Sequence, residues 1–185
     1  MRLTESERIP DTIEGQKVST AKAHAVWVPA ARELLISTAQ IYNNWITYAD
    51  LAERIQQITG VSTKQPLQYW IGGLLDAVSI ECEQRGEPHL TALCVHSDQS
   101  IGDGYPWARA DATEVEREEV AAKDRFHCYQ VYADDLPDDG GSPTLTPSMQ
   151  SRFQRQRRST PTPAKQCPIC FMELPSTGIC NEDHS

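Results

Sequence analysis

No apolar segment of this sequence approaches the roughly 20 residues that a membrane-spanning helix requires. The N-terminal stretch MRLTESERIPDTIEGQKVST also lacks the apolar core of a secretory signal peptide. We therefore expect a cytoplasmic protein with no membrane partner, in which the six cysteines remain reduced. This expectation excludes a disulfide framework as the basis of the fold.

The sequence also lacks the common short signatures of enzymes. It contains no Walker-type phosphate loop, no GxSxG nucleophile elbow and no HExxH zinc helix. Cys94 and His96 are close in sequence, but no third group is identified to orient the pair, so a core cysteine is the simpler interpretation. The carboxylates of DDLPDDGG do not follow the D-x-D-x-D-G spacing of a calcium loop, which favours a solvated turn. No residue is therefore predicted to be catalytic.

Basic residues are scarce and unevenly distributed. Lysine and arginine number 17 against 26 aspartates and glutamates, and the formal net charge is -9. Residues 151–185 carry five basic and three acidic side chains, a net charge of +2, so residues 1–150 must carry -11. An acidic body disfavours non-specific nucleic-acid binding, which depends on the neutralisation of phosphates. The positive charge is concentrated just before a cluster of cysteines.

Helical periodicity organises the first half of the chain. The apolar residues of PAARELLISTAQIYNNW predict a first helix that begins at Pro29 and ends near Asn43. A second helix is predicted in TYADLAERIQQITG, with Thr47 as its N-cap and Gly60 as its stop. A third is predicted over residues 62–78, capped by a threonine, where apolar residues repeat at i, i+3, i+4 and i+7.

In the second half of the chain, the spacing at which apolar residues repeat changes from 3.6 residues, as in a helix, to 2 residues, as in a strand. Apolar residues alternate on both faces of PHLTALCVHS, which predicts a covered strand, and SDQSIGDGY supplies a turn and a short second strand. A fourth helix is predicted over residues 113–130, with Thr113 and Glu116 as a capping box and a strongly acidic outer side. Residues 134–166 are predicted to be an acidic loop followed by a basic, proline-containing linker.

This order of elements predicts an α+β, mainly helical fold. Two helices followed by a strand pair are typical of a winged helix-turn-helix, here with an extra helix. We expect an N-terminal arm over residues 1–17, a winged-helix-like domain over 18–133, the loop and linker over 134–166, and a zinc-ribbon-like module over 167–185. The predicted DNA-binding residues are Tyr48, Lys64, Gln65, Gln68, Tyr69, Arg152, Arg155, Arg157 and Arg158.

The segment 45–105 resembles a known family. ITYADLA resembles the TTYG-x-x-A stretch of the DNA-binding domain of alkylguanine alkyltransferases and alkyltransferase-like proteins, and SDQSIGDGY is similar to their DGS-x-GGY ending. YWIGGLL lies where that family has its ARAVGxAL helix. The resemblance implies that Tyr48 helps to rotate a target base out of the duplex. It also places Thr91 at the position of the reactive cysteine and Tyr69 at that of the arginine finger, which implies recognition of a modified base without alkyl transfer.

Three functional hypotheses therefore stay open. GEPHLTALCVHSDQSIGDGY also resembles a GxPxLSALVV…GxPGxGF pattern of winged-helix-like domains in uncharacterised bacterial proteins, some of which accompany nucleases and phage-defence systems. The leading hypothesis is a non-catalytic DNA-associated protein of bacterial or phage defence or regulation. The second is a protein-interaction adaptor or antitoxin-like inhibitor that binds a basic partner through the acidic face Glu114–Asp139. The third is modified-base recognition.

The C-terminal stretch CPICFMELPSTGICNEDHS is typical of a metal knuckle. Its spacing is C-x2-C-x9-C-x3-H, and three thiolates with one imidazole form a tetrahedral set that suits a structural Zn2+ ion. The predicted ligands are Cys167, Cys170, Cys180 and His184, with Asp183 as the competing choice for the fourth position. Because so short a module has almost no core, zinc would supply most of its folding free energy.

Overall fold

The computed structural model describes residues 11–13, 16–159, 167 and 169. The chain divides into two compact units, Met1–Met149 and Gln150–Ser185. The predominance of helix, with a few short strands, confirms the α+β, mainly helical prediction at that level. Within the described ranges, no helix is both long enough and apolar enough to cross a membrane.

Five helices and five short strands are assigned in these ranges. The helices are α1 (Thr20–Ala39), α2 (Tyr48–Thr59), α3 (Ile71–Arg85), α4 (Glu114–Tyr132) and α5 (Pro147–Ser159). The strands are β1 (Asp11–Ile13), β2 (Gln16–Val18), β3 (Ile46–Thr47), β4 (Val61–Ser62) and β5 (Cys94–Val95). One sheet is antiparallel in the order β2-β1-β4, and β3 pairs in parallel with β5. Strand β1 and the first two residues of β2 thus lie within the N-terminal arm that is predicted over residues 1–17.

Helix α1 packs against α2, α3 and α4 and forms the centre of the first unit. Its N-cap is Ser19, whose hydroxyl accepts a hydrogen bond from the Lys22 N–H at 3.4 Å. The prediction that this helix begins at Pro29 is wrong, because Pro29 lies inside it. Apolar residues spaced four apart continue on both sides of Pro29. The free energy gained by burying them outweighs the loss of the one backbone hydrogen bond that proline cannot donate. The buried series is Ala23, Trp27, Ala31, Leu35 and Ala39.

Helix α2 has the two ends that were predicted. The Thr47 hydroxyl accepts a hydrogen bond from the Asp50 N–H at 3.1 Å. Gly60 ends the helix in the left-handed conformation, with φ at 68°, which a glycine adopts without strain. Both ends depend on local side-chain and backbone chemistry, which is why the sequence predicts them correctly.

Helix α3 begins later than predicted. Leu67–Tyr69 forms a 3₁₀ helix before it, and Thr63 caps no helix, because its hydroxyl accepts a hydrogen bond from the Gln65 N–H at 3.1 Å in a local turn. Pro66 is extended, with ψ at 139°, and so separates that turn from the helical residues. The predicted apolar series does continue into α3, where Ile71, Leu74, Val78 and Cys82 are buried.

The strand pair predicted in PHLTALCVHS and SDQSIGDGY is not formed. Leu90–Leu93 is a 3₁₀ helix, and only β5 is extended. Because β5 pairs with the distant β3, these residues do not form the β-hairpin of a winged helix. Every residue from Leu90 to Val95 is buried, and over so short an apolar run the periodicity does not separate a strand from a 3₁₀ helix.

Helix α4 is confirmed together with its capping box. The Glu116 N–H donates to the Thr113 hydroxyl at 3.3 Å, and the Thr113 N–H donates to the Glu116 carboxylate at 2.8 Å. The first unit continues beyond α4 to Met149. Tyr42 ties the following loop to the end of α1, since its hydroxyl both donates to the Ser142 carbonyl and accepts from the Ser142 N–H.

Helix α5 replaces part of the linker predicted over residues 134–166. Residues 148–159 contain neither proline nor glycine, so nothing in their sequence interrupts a helix that starts at Pro147. The first residues of α5, up to Met149, belong to the first unit. Within that unit, the Gln99 carbonyl accepts from the Thr146 hydroxyl at 2.8 Å and the Gln99 side chain accepts from the Ser148 N–H at 3.0 Å. The basic residues are therefore presented by a helix.

Candidate binding cavity

A cavity of about 480 Å³ lies between α3, the 3₁₀ helix at Leu90–Leu93 and the loop over residues 101–106. Tyr48, the first residue of α2, also lines it. This volume is within the range of small-molecule and cofactor sites. Its apolar lining includes Leu67, Ile71 and Leu75, and its polar lining includes Gln68, Asp76, Ser79, Thr91 and His96.

Tyr48 is held in one orientation by its neighbours. Its ring lies edge-to-face against that of His96, with centroids 4.6 Å apart. Burial raises the pKa of the Tyr48 hydroxyl, which also hydrogen-bonds to the backbone of Gly102. A Cβ atom added to Gly102 would lie 2.5 Å from the Tyr48 hydroxyl oxygen, so residue 102 must be glycine for Tyr48 to keep this position. The Tyr48 ring thus forms part of the cavity wall in a fixed position, and its hydroxyl is uncharged.

Two neighbouring hydroxyl groups, those of Ser79 and Thr91, line the cavity. The Thr91 and Ser79 hydroxyl oxygens are 3.1 Å apart, and both residues are buried. Cys82, Cys94 and Cys128 are buried and do not line the cavity, as the core interpretation of Cys94 predicts. Burial raises the pKa of the Cys82 thiol to about 11 and those of the Cys94 and Cys128 thiols still further above the usual range, so these groups stay protonated.

Two buried charged side chains of α4 support the cavity walls. The Ile101 N–H donates to Glu118 Oε1 at 2.6 Å, and Arg125 donates to the Ala92 carbonyl at 3.1 Å. Glu118 Oε2 and Arg125 Nη2 lie 4.0 Å apart and make no hydrogen bond within the described residues. Burial raises the pKa of Glu118 and lowers that of Arg125. Sequence reasoning missed both, because charged residues are almost never fully buried and periodicity assigns them to the surface.

Asp124 is also directed away from the predicted acidic face. It accepts a hydrogen bond from the Tyr105 hydroxyl at 2.6 Å, and its other oxygen is 3.2 Å from His89 Nδ1. The His89 ring stacks on Trp107 with centroids 3.6 Å apart, so this cluster fixes the chain at the edge of the cavity. Glu118 and Asp124 therefore do not belong to an exposed face over Glu114–Asp139. The exposed acidic residues of that range are Glu116, Glu119, Asp134, Asp135, Asp138 and Asp139.

The structure brings together only part of the predicted DNA-binding set. Tyr48 and Gln68 line the cavity. Lys64 and Tyr69 are exposed and Gln65 is half-buried, and these three do not line it. The predicted arginines all lie on α5, where Arg155, Arg157 and Arg158 are exposed and Arg152 is half-buried.

The predicted zinc site falls mostly outside the described residues. Cys167 is described and buried, whereas Cys170, Cys180, His184 and the alternative ligand Asp183 are not described. In the described ranges, no group of three or more histidine, cysteine, aspartate or glutamate side chains is arranged to hold a metal ion. The zinc module stays a prediction from the spacing of its ligands.

Comparison with known proteins gives no relative for this chain. No protein-family model matches the sequence, and neither a curated protein nor a solved structure matches it. The function must therefore be inferred from the cavity and the charged segments themselves.

Proposed function

We propose that this protein binds DNA and holds one base in the cavity without transferring a chemical group. The observation that supports this function is the cavity itself, which combines the fixed ring of Tyr48, the amide of Gln68 and the hydroxyl of Thr91. A base that leaves the duplex is recognised by such means, through stacking on an aromatic side chain and hydrogen bonds to its edge. Lys64 and Tyr69 are exposed close to Gln68 in the sequence and would contact the flanking strand.

The segment over α2 and α3 would provide the helix-turn-helix-like part of this interaction. In the proposal, α3 is the recognition helix. The 3₁₀ helix at Leu67–Tyr69 precedes the end of α3 that would approach the duplex. Gln68 lies on this 3₁₀ helix and also lines the cavity. The same short segment would therefore contact the duplex and the displaced base.

Helix α5 would contribute the phosphate contacts. Arg152, Arg155 and Arg158 recur every three residues and so lie on one side of the helix. Arg157 is also exposed and lies on a different side. These side chains are the local positive charge that an otherwise acidic protein needs to bind the phosphate backbone.

Replacement of Arg155, Arg157 and Arg158 by alanine is expected to weaken duplex binding by about 10- to 100-fold at moderate salt, because up to three phosphate contacts are lost. The slope of log affinity against log salt should fall by up to about 2.7, which is roughly 0.9 for each contact. Fluorescence anisotropy with a labelled duplex at several salt concentrations measures both quantities.

The matched control is the triple variant Arg54→Ala/Arg109→Ala/Lys123→Ala, which makes the same change in net charge at exposed positions of the first unit. It should lose less affinity than the α5 variant, because none of these side chains belongs to α5 and only Arg54 lies on the proposed helix-turn-helix segment. Equal losses in the two triple variants would mean that net charge, and not the α5 surface, controls binding. Absence of salt-sensitive binding by the unmodified protein at micromolar concentration would overturn the DNA proposal.

Gly102→Ala is expected to remove the preference for a duplex that contains an unpaired purine. The unmodified protein should bind that duplex more tightly than a fully paired one, because extrusion of an unpaired base costs less. The new methyl group would displace the Tyr48 hydroxyl and alter the cavity wall. Gly104→Ala is the control, since it lines the same cavity but its added Cβ meets no atom within 4 Å. A preference that survives Gly102→Ala would contradict the placement of the base.

The protein-adaptor hypothesis has less support from the geometry. Glu118 and Asp124 are engaged with the loop and the cluster at the cavity edge, which removes two carboxylates from the surface on which the adaptor would depend. Affinity capture from the native host separates the two functions. A single stoichiometric protein partner, with no nucleic acid recovered, would replace the DNA proposal.

A further inference from the structure

We propose that the base held in the cavity carries a positive charge, as a purine alkylated on a ring nitrogen does. This inference rests on the proposed function and adds the charge class of the ligand. It depends on the distribution of charged side chains around the cavity, and on one carboxylate in particular.

Asp76 is the carboxylate whose charge is not balanced. Among the described residues, the cavity lining contains two carboxylates, Asp76 and Asp103, and no lysine or arginine. Arg117 Nη2 lies 2.6 Å from Asp103 Oδ1, so Asp103, whose side chain is 95% exposed, is paired at the surface. Asp76, on α3, forms neither a hydrogen bond nor an ion pair with the described part of the chain. A ligand in the cavity therefore meets one unpaired negative charge.

The remaining lining suits a flat, cationic ring. Tyr48 and Tyr105 contribute aromatic rings, whose faces attract cations, and Leu67 and Ile71 contribute apolar surface that lowers the local dielectric constant. An anionic group, such as a free phosphate, would be repelled by Asp76 and would find no cationic partner among the lining residues. The lining thus favours a base over a phosphate and a charged base over a neutral one.

The chemistry of an alkylated purine matches this arrangement. Alkylation of guanine at N7 places a positive charge on the ring system and leaves its N–H donors in place. A carboxylate forms a charge-assisted hydrogen bond with either base, but a cationic base adds a Coulomb attraction that a neutral base lacks. Alkylation at O6 leaves the base neutral and removes the proton from N1, so it provides no such gain at Asp76.

The test compares three duplexes that differ only at one central guanine: unmodified, O6-methylated or N7-methylated. The N7-methylated nucleotide is stabilised by fluorine on its sugar against loss of the base, and the pH is kept where the base retains its charge. Fluorescence anisotropy of the full chain is expected to show about tenfold tighter binding of the N7-methylated duplex than of the other two. Asp76→Asn should reduce this ratio to about one.

Asp103→Asn is the matched control, because it removes a carboxylate that is already paired with Arg117, and it should retain the preference. Equal affinity of the unmodified protein for all three duplexes would overturn the inference while the DNA proposal stands. Tighter binding of the O6-methylated than of the N7-methylated duplex would do the same. A preference that persists in Asp76→Asn would overturn the role of Asp76, and no binding to any duplex would overturn the proposed function together with the inference.

Discussion

Arg32→Met is expected to lower the free energy of unfolding by roughly 2–4 kcal/mol at neutral pH. Arg32 forms a two-point contact with Glu87: its Nε donates to Oε2 at 2.7 Å and its Nη2 donates to Oε1. The two side chains are only 13% and 16% exposed, so water cannot solvate the carboxylate when its partner is removed. Methionine keeps much of the apolar stem of arginine but leaves Glu87 without its cation.

The same pair predicts a dependence of stability on pH. Its hydrogen bonds to Arg32 hold the pKa of Glu87 below its usual value of 4.5. A carboxylate with a lowered pKa in the folded state contributes stability above its unfolded pKa, and this contribution is lost as the pH falls through the folded pKa. Urea unfolding measured between neutral pH and pH 3 should show this loss in the unmodified protein and a smaller one in Arg32→Met.

The double variant Arg32→Met/Glu87→Leu separates the pair from general damage to the core. Removal of both charges should restore a large part of the stability, because replacement of a buried pair by apolar groups is often neutral. An Arg32→Met protein as stable as the unmodified one at neutral pH would contradict the assignment. A double variant less stable than the single variant would also contradict it, since the unpaired carboxylate would then not be the source of the loss.

Trp27→Ala is expected to destabilise the protein by about 3–5 kcal/mol, the usual range for a large aromatic residue of a core. Trp27 is 1% exposed, and its ring centroid is 4.8 Å from that of Trp70. Its indole N–H donates to the Val61 carbonyl at 3.1 Å, so the alanine variant leaves both a cavity and an unpaired carbonyl. Thermal and urea unfolding followed by circular dichroism measure the change.

A pair of phenylalanine variants isolates the hydrogen bond from the packing. Trp27→Phe should cost about 1–3 kcal/mol, because it leaves the buried Val61 carbonyl without its donor. Trp70→Phe makes the same change of ring at the neighbouring position, where the indole N–H is buried and has no hydrogen-bond partner within the described residues. Its cost should be clearly smaller, since no hydrogen bond is lost. Equal costs at the two positions would show that the Trp27 hydrogen bond contributes nothing measurable.

Features that depend on neighbouring residues could be predicted from the sequence. Thr47 and Gly60 at the ends of α2, and the Thr113 capping box of α4, use side-chain chemistry within one turn of the backbone. The start of α1 does not follow from Pro29, because the apolar series on both sides of the proline continues the helix. Tertiary packing decides such cases, and a local rule cannot include it.

The cavity could not be predicted in this way, because its walls come from separate parts of the chain. Of the three positions to which the family resemblance gives a role, Tyr48 and Thr91 line the cavity and Tyr69 does not. Asp76 carries no such signal, since an exposed aspartate on a helix is ordinary in sequence. Its meaning depends on the loop that brings Asp103 to the same cavity and into an ion pair with Arg117 of α4, which only the three-dimensional structure shows.

The parallel pairing of β3 with β5 has a consequence for the order of folding. Tyr48 follows β3 directly and His96 follows β5 directly, so their ring contact forms only after two segments far apart in sequence have met. Closing so long a loop is entropically costly and is favoured only once α1, α2 and α3 are packed. The cavity should therefore be assembled late and lost early. A molecule bound in it would then slow unfolding of the whole first unit, not only of the residues that it contacts.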